Sequence, residues 1–189
     1  MSPNRRVLPA ALTLLAILLT APTATAQPPN PLYRLVDTAA QRLGTADPVA
    51  ATKWINGGSI ADPQRVTAVL DAVGADARAH GVDPQYVRTV FTDQIAATEG
   101  VQYIRFGQWK FDPATAPTTA PDLADSRAQI DGYNKTMVEE IARRWDSLHG
   151  AACAPTLAAA TESVATVRVL DPLYRQALAS ATRSYCSRS

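Results

Sequence analysis

Histidine, cysteine and lysine are scarce in this chain: two, two and three among 189 residues. His80 and His149 are far apart, and no second histidine follows either of them three or four residues on, so no paired-histidine metal spacing is present. There is no CxxC pair, no glycine-rich phosphate loop and no GxSxG elbow. An enzyme with this sequence therefore has no cofactor motif and no evident nucleophile. Charge of one sign is missing too: 18 basic residues meet 17 acidic ones. Such a balance supplies no field to steer nucleic acid or an anionic membrane surface. Any cationic site must be a local cluster.

Long apolar runs are also absent, save one. "MSPNRRVLPAALTLLAILLTAPTATAQ" has Arg5 and Arg6, an apolar run from about Val7 to Leu19, and then "ATAQ". That order is a basic n-region, an h-region and a small-x-small cleavage site. The run is short for a bilayer span, and Pro22 follows it. Residues 1–26 are read as a cleaved export signal, the alternative being an uncleaved anchor. The arginine pair hints at the twin-arginine route. Cleavage after Ala26 leaves residues 27–189, with 16 basic and 17 acidic groups, as one domain with a full core. The expected location is periplasmic or secreted, with no membrane attachment after cleavage.

In an exported chain the even pair Cys153 and Cys186 reads as a disulfide. A catalytic thiol is the competing reading, and an oxidising compartment weighs against it.

The rest of the chain carries helix signals. "LYRLVDTAAQRL" sets Leu32, Leu35, Val36, Ala39 and Leu43 along one stripe. Asp-Pro pairs at 47–48, 62–63, 83–84 and 171–172 read as N-caps with proline at the first helical position. "NGG" at 56–58 breaks the chain, and Gly81 is a C-cap candidate. From Asp83 the pattern runs unbroken through "QYVRTVFTDQIAATEGVQYIRFGQWK", a helix of about 25 residues and nearly 40 Å. Residues 122–149 read as a second long helix, followed by shorter ones at about 156–168 and 171–186. The expectation is an all-α, single-domain helical bundle with two long helices and several shorter ones.

Basic residues in apolar surroundings are the candidates for function. Lys53 sits in the apolar run "ADPVAATKWINGG", directly before Trp54. Arg42 is near the inner stripe of its helix, Arg65 just inside a cap, and Arg127 in the first turns of a long helix. Thr98 and Gln102 are four apart on the central helix and share a face. Taken singly, each cation reads more readily as a snorkelling or surface residue.

Taken together, the segments "LVDTAAQRL…ADPVAATKW", "DPQYVRTVFTDQIAATE", "QYIRFGQWK", "PDLADSRAQID" and "LDPLYRQALASATRSYC", with the cysteine pair, resemble the exported gamma-subclass, AroQ-type helical chorismate mutases (chorismate mutase type II-like). The likeness includes the basic spacing Arg42, ten residues, Lys53, eleven residues, Arg65. It implies a cofactor-free [3,3] rearrangement of chorismate to prephenate. Carried over by position, Arg42, Arg65 and Arg127 bind carboxylates, and Lys53 bonds the ether oxygen and a nearby carboxylate. Thr98 contacts a carboxylate, and Gln102 faces the ether oxygen. Lys53 and Gln102 are the catalytic pair, and no metal is involved. The resemblance further implies chorismate as the small-molecule partner and a homodimer, with each site built within one chain.

Two positions depart from the family pattern. Related exported members carry Glu where this chain has Gln102, and a Gln where it has Val69. The Val69 change leaves open a different class of function: a secreted, non-catalytic binding module for small dicarboxylates. A helical protein that engages a protein partner is a third reading, and it requires a solvent-facing Lys53 beside a large apolar patch. Trp54, Trp109 and Trp145 are read as core or interface packing.

Overall fold

A computed structural model describes residues 30–186. The export signal expected at residues 1–26 lies outside them. The described residues are helical, with no strand among them. They comprise α1 (Tyr33–Leu43), α2 (Ala46–Ile55), α3 (Pro63–Ala79), α4 (Pro84–Phe111), a 3-10 turn (Pro113–Thr115), α5 (Leu123–Arg143), α6 (Trp145–His149), α7 (Cys153–Val167) and α8 (Pro172–Ala181). α4, at 28 residues, is about 42 Å long. It packs against α2, α3 and α8, while α1 lies against α5 and α7. One core joins these layers, with Leu35, Val36, Phe91, Met137, Ile141 and Leu178 fully enclosed.

Three of the four Asp-Pro pairs begin helices as expected. Asp62 accepts the Arg65 N–H, Asp83 those of Gln85 and Tyr86, and Asp171 that of Tyr174. Each cap satisfies an orphan donor and is worth about 1 kcal/mol. Asp47 is the exception. α2 already starts at Ala46, and the Asp47 carboxylate takes a two-pronged bond from Arg105 of α4. The reason lies upstream: Gly44 and Thr45 keep near-helical dihedrals, and the Thr45 hydroxyl donates to the Arg42 carbonyl at 2.7 Å. The chain therefore runs from α1 into α2 almost without a break and needs no new cap.

The helix expected over 122–149 is divided. Arg144 leaves helical geometry (φ −112°, ψ 17°). The bend returns Leu148 to the core and lays the Trp145 ring on Tyr86 and His149. The last helix is also shorter than expected. It stops at Ala181, and the following turn sends Tyr185 fully into the interior and Cys186 to Cys153. The disulfide is formed, closing a 33-residue separation. Asp93 of α4 holds the same segment, accepting bonds from Arg183 and from the Ser184 hydroxyl.

The three tryptophans pack in two groups. Trp145 joins the cluster just described. Trp54, Phe106 and Trp109 meet one another edge-on or tilted at 5.2–5.9 Å, and Ile55 of α2 and Tyr103, Ile104 and Phe111 of α4 are exposed. Both histidines meet a carbonyl four residues back, Asp76 for His80 and Trp145 for His149.

Candidate active site

Arg42 and Lys53 are eleven residues apart, close to three helical turns, and the nearly continuous α1–α2 turns both to one side. α3 contributes Arg65 from its first turn. Thr98 and Gln102 come from successive turns of α4, and Arg127 from the start of α5. All six residues line one cleft of about 620 Å3, measured out to its open mouth. Its walls are otherwise mostly apolar, with Val49, Val66, Val69, Ile95 and Ile130 among them.

Arg42 is almost wholly enclosed, at 4% exposure. Its Nε donates to Asn134 Oδ1 at 2.7 Å, and another guanidinium nitrogen donates to Thr98 Oγ1 at 3.3 Å. The Phe91 ring centroid lies 5.9 Å from its central carbon. Thr98 in turn donates its own hydroxyl proton to the Gln94 carbonyl. Burial pushes the Arg42 guanidinium down to about 10, against a field from Tyr185 that raises it. Lys53 is half-buried and donates to the Ile60 carbonyl at 2.6 Å and to Gln102 Oε1 at 3.4 Å. Burial lowers its pKa from the ordinary lysine value, while Asp62 and Glu99 oppose the shift.

The outer pair behaves differently. Arg65 is ion-paired with Asp131 at 2.5 Å and Arg127 with Asp62 at 3.3 Å, all four side chains partly exposed. Among the described residues, no carboxylate stands within ion-pair distance of Arg42 or Lys53. Positive charge is thus compensated at the rim and uncompensated inside.

Reading along the chain missed Asn134, Asp131 and the second role of Asp62. A signal for two of them existed: residues 127, 131 and 134 fall at i, i+4 and i+7 on one face of α5. The Ile60 carbonyl left no signal, because a backbone acceptor has no side-chain identity. Glu99, left open between a surface charge and a salt bridge, lines the cleft and makes no ion pair among the described residues. Val69 lies in the wall with nothing polar to offer. No group of three His, Cys, Asp or Glu that could hold a metal occurs among the described residues.

Among the described residues, fold and cleft together define an all-helical protein with a cleft lined by four cationic side chains. Residues 33–103 match the family described as chorismate mutase type II. The secreted chorismate mutase of Mycolicibacterium smegmatis is 56% identical over 165 residues, which is 87% of this chain and 91% of that one. For the secreted chorismate mutase of Mycobacterium tuberculosis the identity is 47% over 165 residues, 87% of this chain and 83% of that one. The crystal structure of a chorismate mutase from Burkholderia thailandensis superimposes with a TM-score of 0.78 at 39% identity, covering 83% of this chain and 99% of that one. The chain belongs to the secreted chorismate mutases, and it is exported, as its leader-like start led one to expect.

Proposed function

We propose that this cleft binds chorismate as a dianion and rearranges it to prephenate in one intramolecular step. The ether C–O bond breaks, a C–C bond forms, and no proton, covalent intermediate or co-reactant enters the balance. The substrate must be held in a compact, diaxial, chair-like shape, and negative charge builds on the ether oxygen as the C–O bond opens. Holding the reactive conformer supplies up to ~7–11 kcal/mol in favourable cases. One preformed donor at the ether oxygen contributes ~3–4 kcal/mol.

A single observation carries this reading: the two innermost cations, Arg42 and Lys53, face the same cleft without a carboxylate partner. A buried charge left so is expensive, and a doubly charged guest removes the penalty. Arg42, Arg65 and Arg127 take the carboxylates through planar, two-pronged donors. To accept one, Arg65 and Arg127 share or exchange their present partners, Asp131 and Asp62. Lys53 has one N–H beyond its two internal bonds, and this goes to the ether oxygen. Because Gln102 Oε1 faces Lys53, its Nε2 is the end that donates to the same oxygen. Thr98 reaches a carboxylate by turning its proton away from the Gln94 carbonyl.

The test is the loss of chorismate absorbance with the purified mature protein. Lys53→Ala should lower kcat by about 10²–10³ while the fold, read by circular dichroism, is kept. Unchanged turnover rejects the assignment, and binding of a transition-state mimic without turnover by the unsubstituted protein favours the binding module instead. We further propose that the leader ends at Ala26 and that the mature chain is a homodimer. The exposed Phe111, Tyr103 and Ile104 of α4 offer apolar surface of the kind that two copies cover. Sedimentation velocity decides between monomer and dimer.

A further inference from the structure

Arg42 is the most enclosed cation of the cleft, and the group that holds it is an amide. Asn134 is itself 6% exposed, and its Oδ1 accepts the Arg42 Nε–H at 2.7 Å. A guanidinium only donates, so the oxygen end of the amide must face it. Asn134 Nδ2 is then turned to Asp131 Oδ1, 3.5 Å away, and Asp131 Oδ1 accepts from Arg65 at 2.5 Å. Positions 131 and 134 lie on one face of α5. The result is a continuous line, Arg42–Asn134–Asp131–Arg65, joining two of the cleft's arginines.

One link in that line is neutral, and it is the buried one. An aspartate at 134 would have the same shape, accept the same bond and make it stronger, because both partners would be charged. It would also neutralise Arg42 from behind. The amide orients the guanidinium and leaves its charge to the cleft.

We propose that Asn134 is a positioning residue for the reaction: a neutral acceptor that fixes the Arg42 guanidinium edge-on to the cleft while leaving its full charge for a substrate carboxylate. This rests on the reading that Arg42 receives such a carboxylate. A residue that only tied α1 to α5 would leave KM unchanged on replacement by aspartate, whatever the loss of its donation to Asp131 does to the melting temperature. For a positioning residue of this kind the same replacement raises KM.

The experiment compares Asn134→Asp, Asn134→Ala and Arg42→Gln with the unsubstituted protein by chorismate turnover and thermal melting. For Asn134→Asp the expected result is a KM raised at least about tenfold with kcat within about threefold. Asn134→Ala, which keeps the charge of Arg42 but loses its hold, should show a smaller rise in KM, with lower kcat and a lower melting temperature. An Asn134→Asp protein with unchanged KM overturns the proposal. Should that variant fail to fold, unchanged KM and kcat in Asn134→Ala overturn it equally. If Arg42→Gln alone keeps the original KM, the carboxylate role of Arg42 is wrong and the proposal falls with it. If Arg42→Gln raises KM and Asn134→Asp does not, only the role of Asn134 is rejected.

Discussion

Asp62 divides its two oxygens between a helix and a cleft. Oδ1 caps α3 at the Arg65 N–H, and Oδ2 meets the Arg127 guanidinium. Two jobs at one side chain explain why the loop between α2 and α3 can be short and still present Arg65 and Arg127 toward the same opening. Gln102 divides its amide in the same way, Oε1 accepting from Lys53 and Nε2 left for the proposed contact with the ether oxygen. A glutamate there would have to be protonated to donate to an ether oxygen, whereas a glutamine donates at any pH. The rate should therefore be nearly flat from about pH 5 to 8, the window in which a buried glutamate with a raised pKa titrates. Gln102→Glu should instead lose activity as pH rises through that window, because the carboxyl deprotonates and ceases to donate. A pH–rate profile of the two proteins decides this, and an equally flat profile for the variant removes Gln102 from the ether oxygen. At this scale the six residues that line the cleft were legible because their types and spacing match a family pattern. The spacing of Asn134 and Asp131 put them on the face of Arg127, but an amide and an exposed aspartate acquire meaning only when another helix brings arginines to them.

Among the elements, three helices end in the same hydrogen-bonded motif with different residues at its left-handed position. Beyond the end of α2 stands Gly57 (φ 67°) and beyond that of α3 Gly81 (φ 71°), with Gly58 N–H to the Lys53 carbonyl and Val82 N–H to that of Ala77. α7 repeats the pattern, Leu170 N–H to the Ala165 carbonyl and Val169 N–H to that of Thr166, but Val169 stands at φ 51°. A β-branched residue there is strained by about 1–3 kcal/mol, where glycine is not. Val169 is 85% exposed, so its side chain has little packing to lose. Val169→Gly should stabilise the protein by about 1 kcal/mol after the added freedom of the unfolded chain is allowed for, read as a higher urea midpoint. Glycine announces such a turn in a sequence, and "NGG" and Gly81 did so. The valine concealed one. The Asp47 misreading has a related cause: a proline and an acidic residue satisfy the cap pattern, but whether a cap is needed depends on how the preceding helix ends. The break at Arg144 arises from where Trp145 and Leu148 find room, which no local pattern encodes.

For the molecule as a whole, the C-terminal segment is held twice within four residues. Cys186 is bonded to Cys153, and Arg183 and Ser184 are bound by Asp93. Between these anchors Tyr185 is driven inside, its backbone carbonyl accepting from the Tyr86 hydroxyl and its ring fully enclosed. Replacing both cysteines by serine should cost about 3–4 kcal/mol in denaturant unfolding, the chain-entropy value for a loop of 33 residues. A loss near zero would mean that Asp93 and the packing of Tyr185 hold the segment unaided. The pairing was readable from two cysteines in an exported chain. The burial of Tyr185 was not, because the helical pattern continues past the point where the chain turns inward.

The inner arginine and lysine give the protein a debt of negative charge that its own side chains leave open. On the proposed reading, any compact dicarboxylate that settles there, reactive or inert, would tighten the whole bundle as a counterion tightens a salt lattice. Endurance and occupancy would then become the same property, and an enzyme that has run out of substrate would also be at its most fragile.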